Sequence, residues 1–456
     1  MTESFAPALP ATPSGGTRVG RLVVISYHFP PDGEVGGLRW SGLTKYLGAM
    51  GWKCWVVTAA APSAREAPGG VTVYSCPRLR TLNDVYRWMR RGRASQAVAG
   101  PSEPEASAPS EGVVEGWIGR LRLEAAMLLS VPDQGRGWIL RASMRARRLV
   151  ARVRPDAVVS SGPPHSAHLV AWLATRGMQT RWLVDLRDPW AGPVAEGWGS
   201  QPTYQSRLAK GLIDRLEQLT ITSASGVLCT TPELARAVAA RYPRVTVDWV
   251  SNGVDRELLP LSGTDAFPGL GVVYAGSMYA AHDLGPVLRA LRLFLDRNPR
   301  AVEEGTKFRI AGSIEAPHHA VLQQEVHTLA LAAHVEMLGV LPREAALQLV
   351  ARSRLAVVLA QKLPHQVPAK IYESVAMAIP TVVICSADSA ASSAARRLNA
   401  RAVEPDDVQS IAQMMEDVWF GRAPRAPPDT PIDYRRLAAQ AAQLLIPAAE
   451  PTVTHG

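Results

Sequence analysis

The chain has 456 residues, 47% of them hydrophobic, and a formal charge of +9. That length is too great for one ordinary core, so two globular domains are expected, and the basic balance favours an acidic partner such as a phosphorylated donor, anionic lipid or nucleic acid. The four cysteines, Cys54, Cys76, Cys229 and Cys385, are scattered and form no C-x-x-C pair, which argues against a disulfide framework or a zinc site and for a reducing, cytoplasmic setting.

Residues 1–19 are rich in Pro, Thr, Ser and Gly, read as disordered, and lack the apolar core of a secretion signal. No apolar run reaches membrane-spanning length. Arg21–Tyr27 (RLVVISY) reads as the first strand, followed by the loop His28–Gly37 (HFPPDGEVGG), a helix from about Leu38 to Ala49, and a second strand at Cys54–Thr58. Strand, glycine-bearing loop, helix and strand open a doubly wound sheet. Gly36 and Gly37 lack side chains, so a phosphate or sugar can approach their backbone, although a plain turn explains them equally by spacing alone. Residues 94–112 are of low complexity and read as a solvated excursion. Val113–Ser130 mixes Trp117, Leu121 and Met127 with Arg120 and Arg122, a pattern that suits either a helix on a membrane surface or one packed on the domain. A basic helix over Arg141–Arg154 leads to a strand at Ala157–Ser160.

Polar groups cluster just after two of the expected strands, in Ser160–His168 (SSGPPHSAH) and Leu183–Trp190 (LVDLRDPW). Ligands of open α/β sheets gather at the carboxyl ends of strands. His165, Asp185, Arg187, Asp188 and Trp190 are therefore candidates to face a cleft and an acceptor, the alternative being that the charged trio pair with one another. His165 and His168 lack an evident third ligand, so no metal site is expected. Further strands are expected at Gly226–Thr230 and Thr246–Val250. The first domain then covers residues 20–255, a linker 256–270, a second domain 271–430, a crossing helix 431–446 and a tail 447–456. The second domain expects strands at Gly271–Tyr274, Phe308–Gly312, Val335–Leu338, Leu355–Leu359 and Thr381–Ile384. Leu437–Leu445 is apolar at helical spacing and suits a return to the first domain.

The stretch Pro368–Pro380 (PAKIYESVAMAIP) carries the clearest chemistry. A helix starting at Pro368 or Ala369 puts Lys370 and Glu373 on one face, with Lys370 near the amide-rich helix start. A cation with helix amides suits a diphosphate; a carboxylate one turn on suits a sugar diol. A solvated ion pair is the bland alternative.

The order of strand, loop, P-x-K-x-x-E and buried strand resembles the donor motif of family-4 glycosyltransferases with the GT-B fold. The run VVISYHFPPDGEVGGLRWSGLTKYLGAMGWKCWVVT resembles the family's opening segment, and S-x-P-x-x-S-x-H followed by D-x-R-D-P-W resembles a bacterial subgroup of it. The resemblance covers roughly residues 20–445. It implies an α/β GT-B fold of two Rossmann-like domains, the first for the acceptor and the second for a nucleotide-sugar donor. It makes Lys370 and His165 the candidate catalytic residues: Lys370 with the Gly36 and Gly37 amides stabilises the leaving diphosphate, and His165 orients sugar or acceptor without acting as a base. Glu373 matches the family's donor glutamate. His365 stands where the motif often has another glutamate, Ala378 where a glycine is usual, and the loop after Gly276 offers His282 where basic residues are frequent. Gly276, His282 and His365 complete the expected donor set.

The activity expected is glycosyl transfer to an acceptor hydroxyl with retained configuration, in cell-surface polysaccharide or glycolipid synthesis, without metal or cofactor. No nucleic-acid module is seen. A lipid-linked acceptor and peripheral docking of the first domain on the inner face of the plasma membrane would account for the arginines of 87–93, Arg120, Arg122 and 141–154, with Trp88, Met89, Trp117 and Leu121 among them. Rival readings are another GT-B enzyme, such as a sugar-nucleotide epimerase or a phosphorylase, and a silent nucleotide-sugar-binding protein.

Overall fold

The structure, a computed structural model, describes residues 20–446 apart from 33, 61–64, 82–123, 192–205, 261–264, 279–281, 426, 428–429 and 431. The N-terminal stretch, the excursion at 94–112, Trp117, Leu121, the arginines of 87–93 and the tail therefore lie outside the described residues.

The first half builds one sheet. β1 (Arg21–Ser26) is buried from its second residue on, as befits a central parallel strand covered on both faces. A 3₁₀ turn (Val35–Gly37) leads into α1 (Leu38–Ala49), and Gly51, at a φ of 88°, turns the chain into β2 (Lys53–Thr58). β3 (Arg65–Ala67) and β4 (Val71–Ser75) form an antiparallel edge that the sequence reading did not anticipate. α2 (Ile139–Val153) is the expected basic helix, burying Ala142, Ala146, Leu149 and Val150 and exposing its arginines. β5 (Ala157–Gly162), α3 (Ser166–Thr175), β6 (Arg181–Leu186), α4 (Arg207–Ser223), β7 (Gly226–Cys229), α5 (Pro232–Arg241) and β8 (Val247–Trp249) follow in alternation. The strand order is β3-β4-β2-β1-β5-β6-β7-β8, so the direction of winding reverses between β1 and β5.

The second half repeats the plan with β9 (Gly271–Ala275), α6 (Gly285–Arg297), α7 (Pro299–Glu303), β10 (Lys307–Ala311), α8 (Ala316–Thr328), β11 (Val335–Gly339), α9 (Arg343–Ala351), β12 (Leu355–Leu359), α10 (Ala369–Ala376), β13 (Thr381–Ile384), α11 (Ala390–Arg397), β14 (Arg401–Val403) and α12 (Val408–Trp419). Its all-parallel sheet runs β11-β10-β9-β12-β13-β14, with the reversal between β9 and β12. The last helix, α13 (Tyr434–Leu445), puts Leu437, Ala438, Ala441 and Leu445 into the same core as Trp40, Leu43 and Leu47 of α1. Gly42 lies against the Tyr434 ring so closely that a Cβ there would clash with it. Both sheets thus place a reversal of winding, and the crevice that goes with it, beside the loops carrying the candidate residues.

Candidate functional site

In the first domain the loops after β1 and β5 are held by Arg187. Its Nη1 donates to the Gly36 carbonyl at 2.7 Å, its Nη2 to the Pro163 carbonyl and its Nε to the Gly162 carbonyl at 3.3 Å. A Cβ on Gly36 would lie 2.9 Å from Nη1, and one on Gly37 would lie 2.9 Å from the Phe29 backbone. The Gly37 amide donates to the Glu34 carbonyl at 3.0 Å. This corrects the sequence reading in two respects. The paired glycines are required by the protein's own packing, and the Gly37 amide is spent inside the loop rather than offered to a phosphate. Arg187 is a half-buried strut between two loops.

Asp185 is also corrected. It is fully buried and does not pair with Arg187. Its Oδ1 accepts from Arg39 Nε and Nη2 at 3.1 and 3.0 Å; its Oδ2 accepts from Trp40 Nε1 at 2.8 Å and Ser161 Oγ at 2.7 Å. Arg39 goes on to the Ser251 carbonyl at 2.8 Å. One buried carboxylate therefore ties α1, β5, β6 and the crossover segment together. The residues Arg39 and Trp40 fell within the quoted opening segment, but nothing in their spacing announced this role.

His165 stands at the N-cap position of α3 without a side-chain capping bond, almost fully buried, with its ring stacked on Trp190 at 4.8 Å between centroids and 11° between planes. Burial, with His168 and Arg187 nearby, holds its pKa well below the ordinary value, so it is neutral at pH 7. His168 accompanies it at 5.5 Å and bonds Ser160 Oγ through Nδ1 at 2.9 Å. Asp133 receives the Ser166 and Gly135 amides, both at 2.8 Å, and so already occupies the start of α3. Trp190 is buried and supports the imidazole rather than lining a surface.

In the second domain Lys370 sits in the first turn of α10, 34% exposed, and Glu373 is buried beneath it. Lys370 Nζ lies 3.1 Å from Glu373 Oε2, which brings together the two residues that the sequence singled out. Arg343, from the start of α9, places Nη2 2.7 Å from Oε1; the sequence reading missed it. Gly276 follows β9 directly and donates its amide to the Ala311 carbonyl at 2.9 Å. His282 is buried, its Nδ1 3.1 Å from the Ser277 carbonyl, and burial lowers its pKa. It is therefore a neutral group, not a substitute cation for the donor's phosphates. Gln361 ties the two switch-point loops, accepting from the Asp283 amide at 2.8 Å and donating to its carbonyl at 3.1 Å.

The domains touch through the loop before α10. Gln366 Nε2 donates to Asp188 Oδ1 at 3.2 Å, and Thr231 Oγ1 donates to the His365 carbonyl at 2.7 Å. Burial raises the Asp188 pKa, against the opposing pull of Arg187 and Gln366. His365 thus lies at the domain boundary, near Glu233 of α5, and burial lowers its pKa as well. No group of three or more His, Cys, Asp or Glu is placed to hold a metal among the described residues.

Two parallel α/β domains, meeting through loops at the carboxyl ends of their strands, define the GT-B architecture of glycosyltransferases. Residues 79–253 match the glycosyl transferase 4-like domain, and residues 270–419 match the glycosyl transferases group 1 domain. Between them the two matches take in most of the chain, which belongs to this family and is by that membership a transferase. Among curated proteins, none matches the sequence. Solved structures share the fold at low identity. Sucrose-phosphate synthase from Thermosynechococcus elongatus is 14% identical with a TM-score of 0.55, covering 94% of this chain and 95% of that one. A UDP-forming α,α-trehalose-phosphate synthase from Burkholderia xenovorans is 15% identical with the same score and coverage. A putative UDP-N-acetylglucosamine 2-epimerase from Listeria monocytogenes is 11% identical with a TM-score of 0.52, covering 94% and 96%.

Proposed function

We propose that the protein transfers a glycosyl group, with retention, from a nucleotide-sugar donor on the second domain to a hydroxyl of an acceptor at the first. The observation that carries this reading is the Lys370–Glu373 pair at the start of α10, beside the switch point of the second sheet. Lys370 and the first amides of that helix offer positive charge where a diphosphate departs, and Glu373 offers a carboxylate to a ribose diol. The trehalose-phosphate synthase that shares the fold is UDP-forming, which favours a UDP-sugar among the possible donors. His165 supplies a neutral, stacked ring at the acceptor side. No metal or cofactor enters the scheme. A panel of UDP-, GDP- and ADP-sugars, with release of free nucleotide as the readout, tests it; no turnover with any of them removes the reading. Proton NMR of the product would give the anomeric outcome.

A silent binding protein is the second reading, favoured by one observation: His282 is buried and neutral where a phosphate-binding cation is expected. Calorimetry with UDP, combined with the turnover assay, separates the two.

The acceptor we propose is lipid-linked, with the first domain docking reversibly on anionic lipid during cell-surface polysaccharide or glycolipid synthesis. The outward face of α2 supports this, exposing Arg141, Arg145 and Arg148 beside Leu140, 63% exposed, and Met144, 46% exposed. Among the described residues, no helix is long and apolar enough to cross a membrane. Each basic residue at such a surface contributes about 1 kcal/mol, screened by salt. Flotation with anionic vesicles that is lost in high salt is the expected result; no flotation at low salt would sink the idea. Glycan analysis of a strain lacking the protein would identify the pathway.

A further inference from the structure

The carboxylate of Glu373 is shared between two cations from different helices. Lys370 reaches Oε2 from its own helix at 3.1 Å, and Arg343 reaches Oε1 from α9 at 2.7 Å. Glu373 is 6% exposed, whereas Arg343 and Lys370 are each about a third exposed. A buried carboxylate with one mobile lysine as its sole counter-charge would hold that lysine fast, because losing the partner leaves the charge uncompensated. With a second cation at the other oxygen, the carboxylate stays neutralised when the lysine leaves. The guanidinium brings a permanent, weakly hydrated cation to Oε1 through its Nη2, on the side of the carboxylate away from the lysine.

We propose that Arg343 is a positioning residue for sugar transfer: it neutralises and orients Glu373 from outside the P-x-K-x-x-E motif and so frees Lys370 for the donor's diphosphate. The inference rests on the reading of Lys370 and Glu373 as the donor site. Arg343 itself need not touch the donor. Its removal leaves Lys370 tied to Glu373, which lowers kcat as well as donor affinity, whereas loss of a merely structural pair would change stability alone.

The test compares R343Q, R343K and E373Q with the parent protein, using the most active donor of the nucleotide-sugar panel and recording KM, kcat and the urea midpoint. R343Q is expected to raise donor KM and lower kcat, each about tenfold, as loss of one close ion-pair partner of a buried carboxylate implies. R343K, keeping a charge but on a more strongly hydrated and more flexible ammonium, falls between R343Q and the parent. R343Q combined with E373Q is no worse than E373Q alone, since the arginine acts only through the glutamate. Parent-like kinetics in R343Q, with E373Q impaired, would overturn the inference and leave the donor-site reading standing. An unchanged donor KM in E373Q would overturn both. If R343Q does not fold, R343K decides: kinetics equal to the parent's overturn the proposal, and an intermediate KM and kcat support it.

Discussion

Gln366 of the donor-side loop and Asp188 of the first domain meet at 3.2 Å, a direct hydrogen bond between the two halves of the protein. The bond joins the segment just before Lys370 to the loop that follows β6, so it links the two domains beside the proposed donor site. A neutral amide giving to a carboxylate is worth on the order of 1.5–3 kcal/mol when formed in a closed site. The expected outcome for D188A and Q366A is a loss of turnover that is not additive: the double variant falls short of the product of the singles by about fivefold or more. Strict additivity would mean that the contact plays no part in closure.

Lys370→Ala is expected to slow turnover by roughly a hundredfold or more while weakening ground-state donor binding much less, because charge accumulates on the diphosphate as it leaves. Steady-state kinetics beside calorimetry with UDP would measure both. Near-normal kinetics would assign the lysine to a solvated face.

Asp185→Ala removes one partner of a buried ion pair and orphans Arg39, Trp40 and Ser161 together. The expected destabilisation is about 3–5 kcal/mol. It should appear as a lower urea midpoint for the first domain, with the unfolding of the second domain unchanged. An unchanged midpoint would contradict the buried network.

Ala378 has a φ of 55°, the left-handed conformation that follows the end of α10. A non-glycine residue there is strained by roughly 1 kcal/mol. Ala378→Gly is therefore expected to stabilise the second domain by about 0.5–1 kcal/mol, offset in part by the greater entropy of unfolded glycine. Chemical denaturation would register the shift, and a lower midpoint would show that no strain is stored at this position.

Glu217 is buried, accepting from Tyr242 Oη at 2.6 Å with Arg241 Nε at 3.1 Å. Burial nonetheless pushes its pKa up from 4.5 to about 7, outweighing both partners. Between these values the folded chain holds a proton that the unfolded chain has lost, so stability falls as pH rises through that window. Glu217→Gln should flatten the fall, by on the order of 1–3 kcal/mol between pH 4.5 and pH 8. Urea midpoints of both proteins across that range would show it; parallel curves would exclude the group.

Legibility in the sequence followed the range of each contact. Leu355–Leu359 and Thr381–Ile384 were readable as buried strands because both faces of a central parallel strand are apolar, and both ranges match the structure. Lys370 and Glu373 were readable because a helix fixes partners three residues apart. Arg39 and Asp185, 146 positions apart, carry no such local sign, and the sequence reading sent Asp185 to the cleft because strand ends usually point there. Arg343 was missed for the same reason. Val71–Ser75 did carry a signal, in the alternation of buried Val71 and Val73 with half-buried neighbours, and it was passed over. Gly36 and Gly37 were seen to be special, but the cause, close approach of the Arg187 side chain and the Phe29 backbone, lies in packing that no spacing reveals.

The docking of α13 on α1 sets an order of events during synthesis. The face of α1 that packs on Tyr434, Leu437 and Ala441 has no cover until the segment Tyr434–Leu445 has left the ribosome. The intervening second domain, by contrast, has all its strands in one uninterrupted stretch from Gly271 to Val403 and can close as soon as it emerges. The first domain is thus completed after the second, and a nascent chain stalled or clipped before Tyr434 would present an apolar helix face to chaperones and proteases while its second domain was already folded.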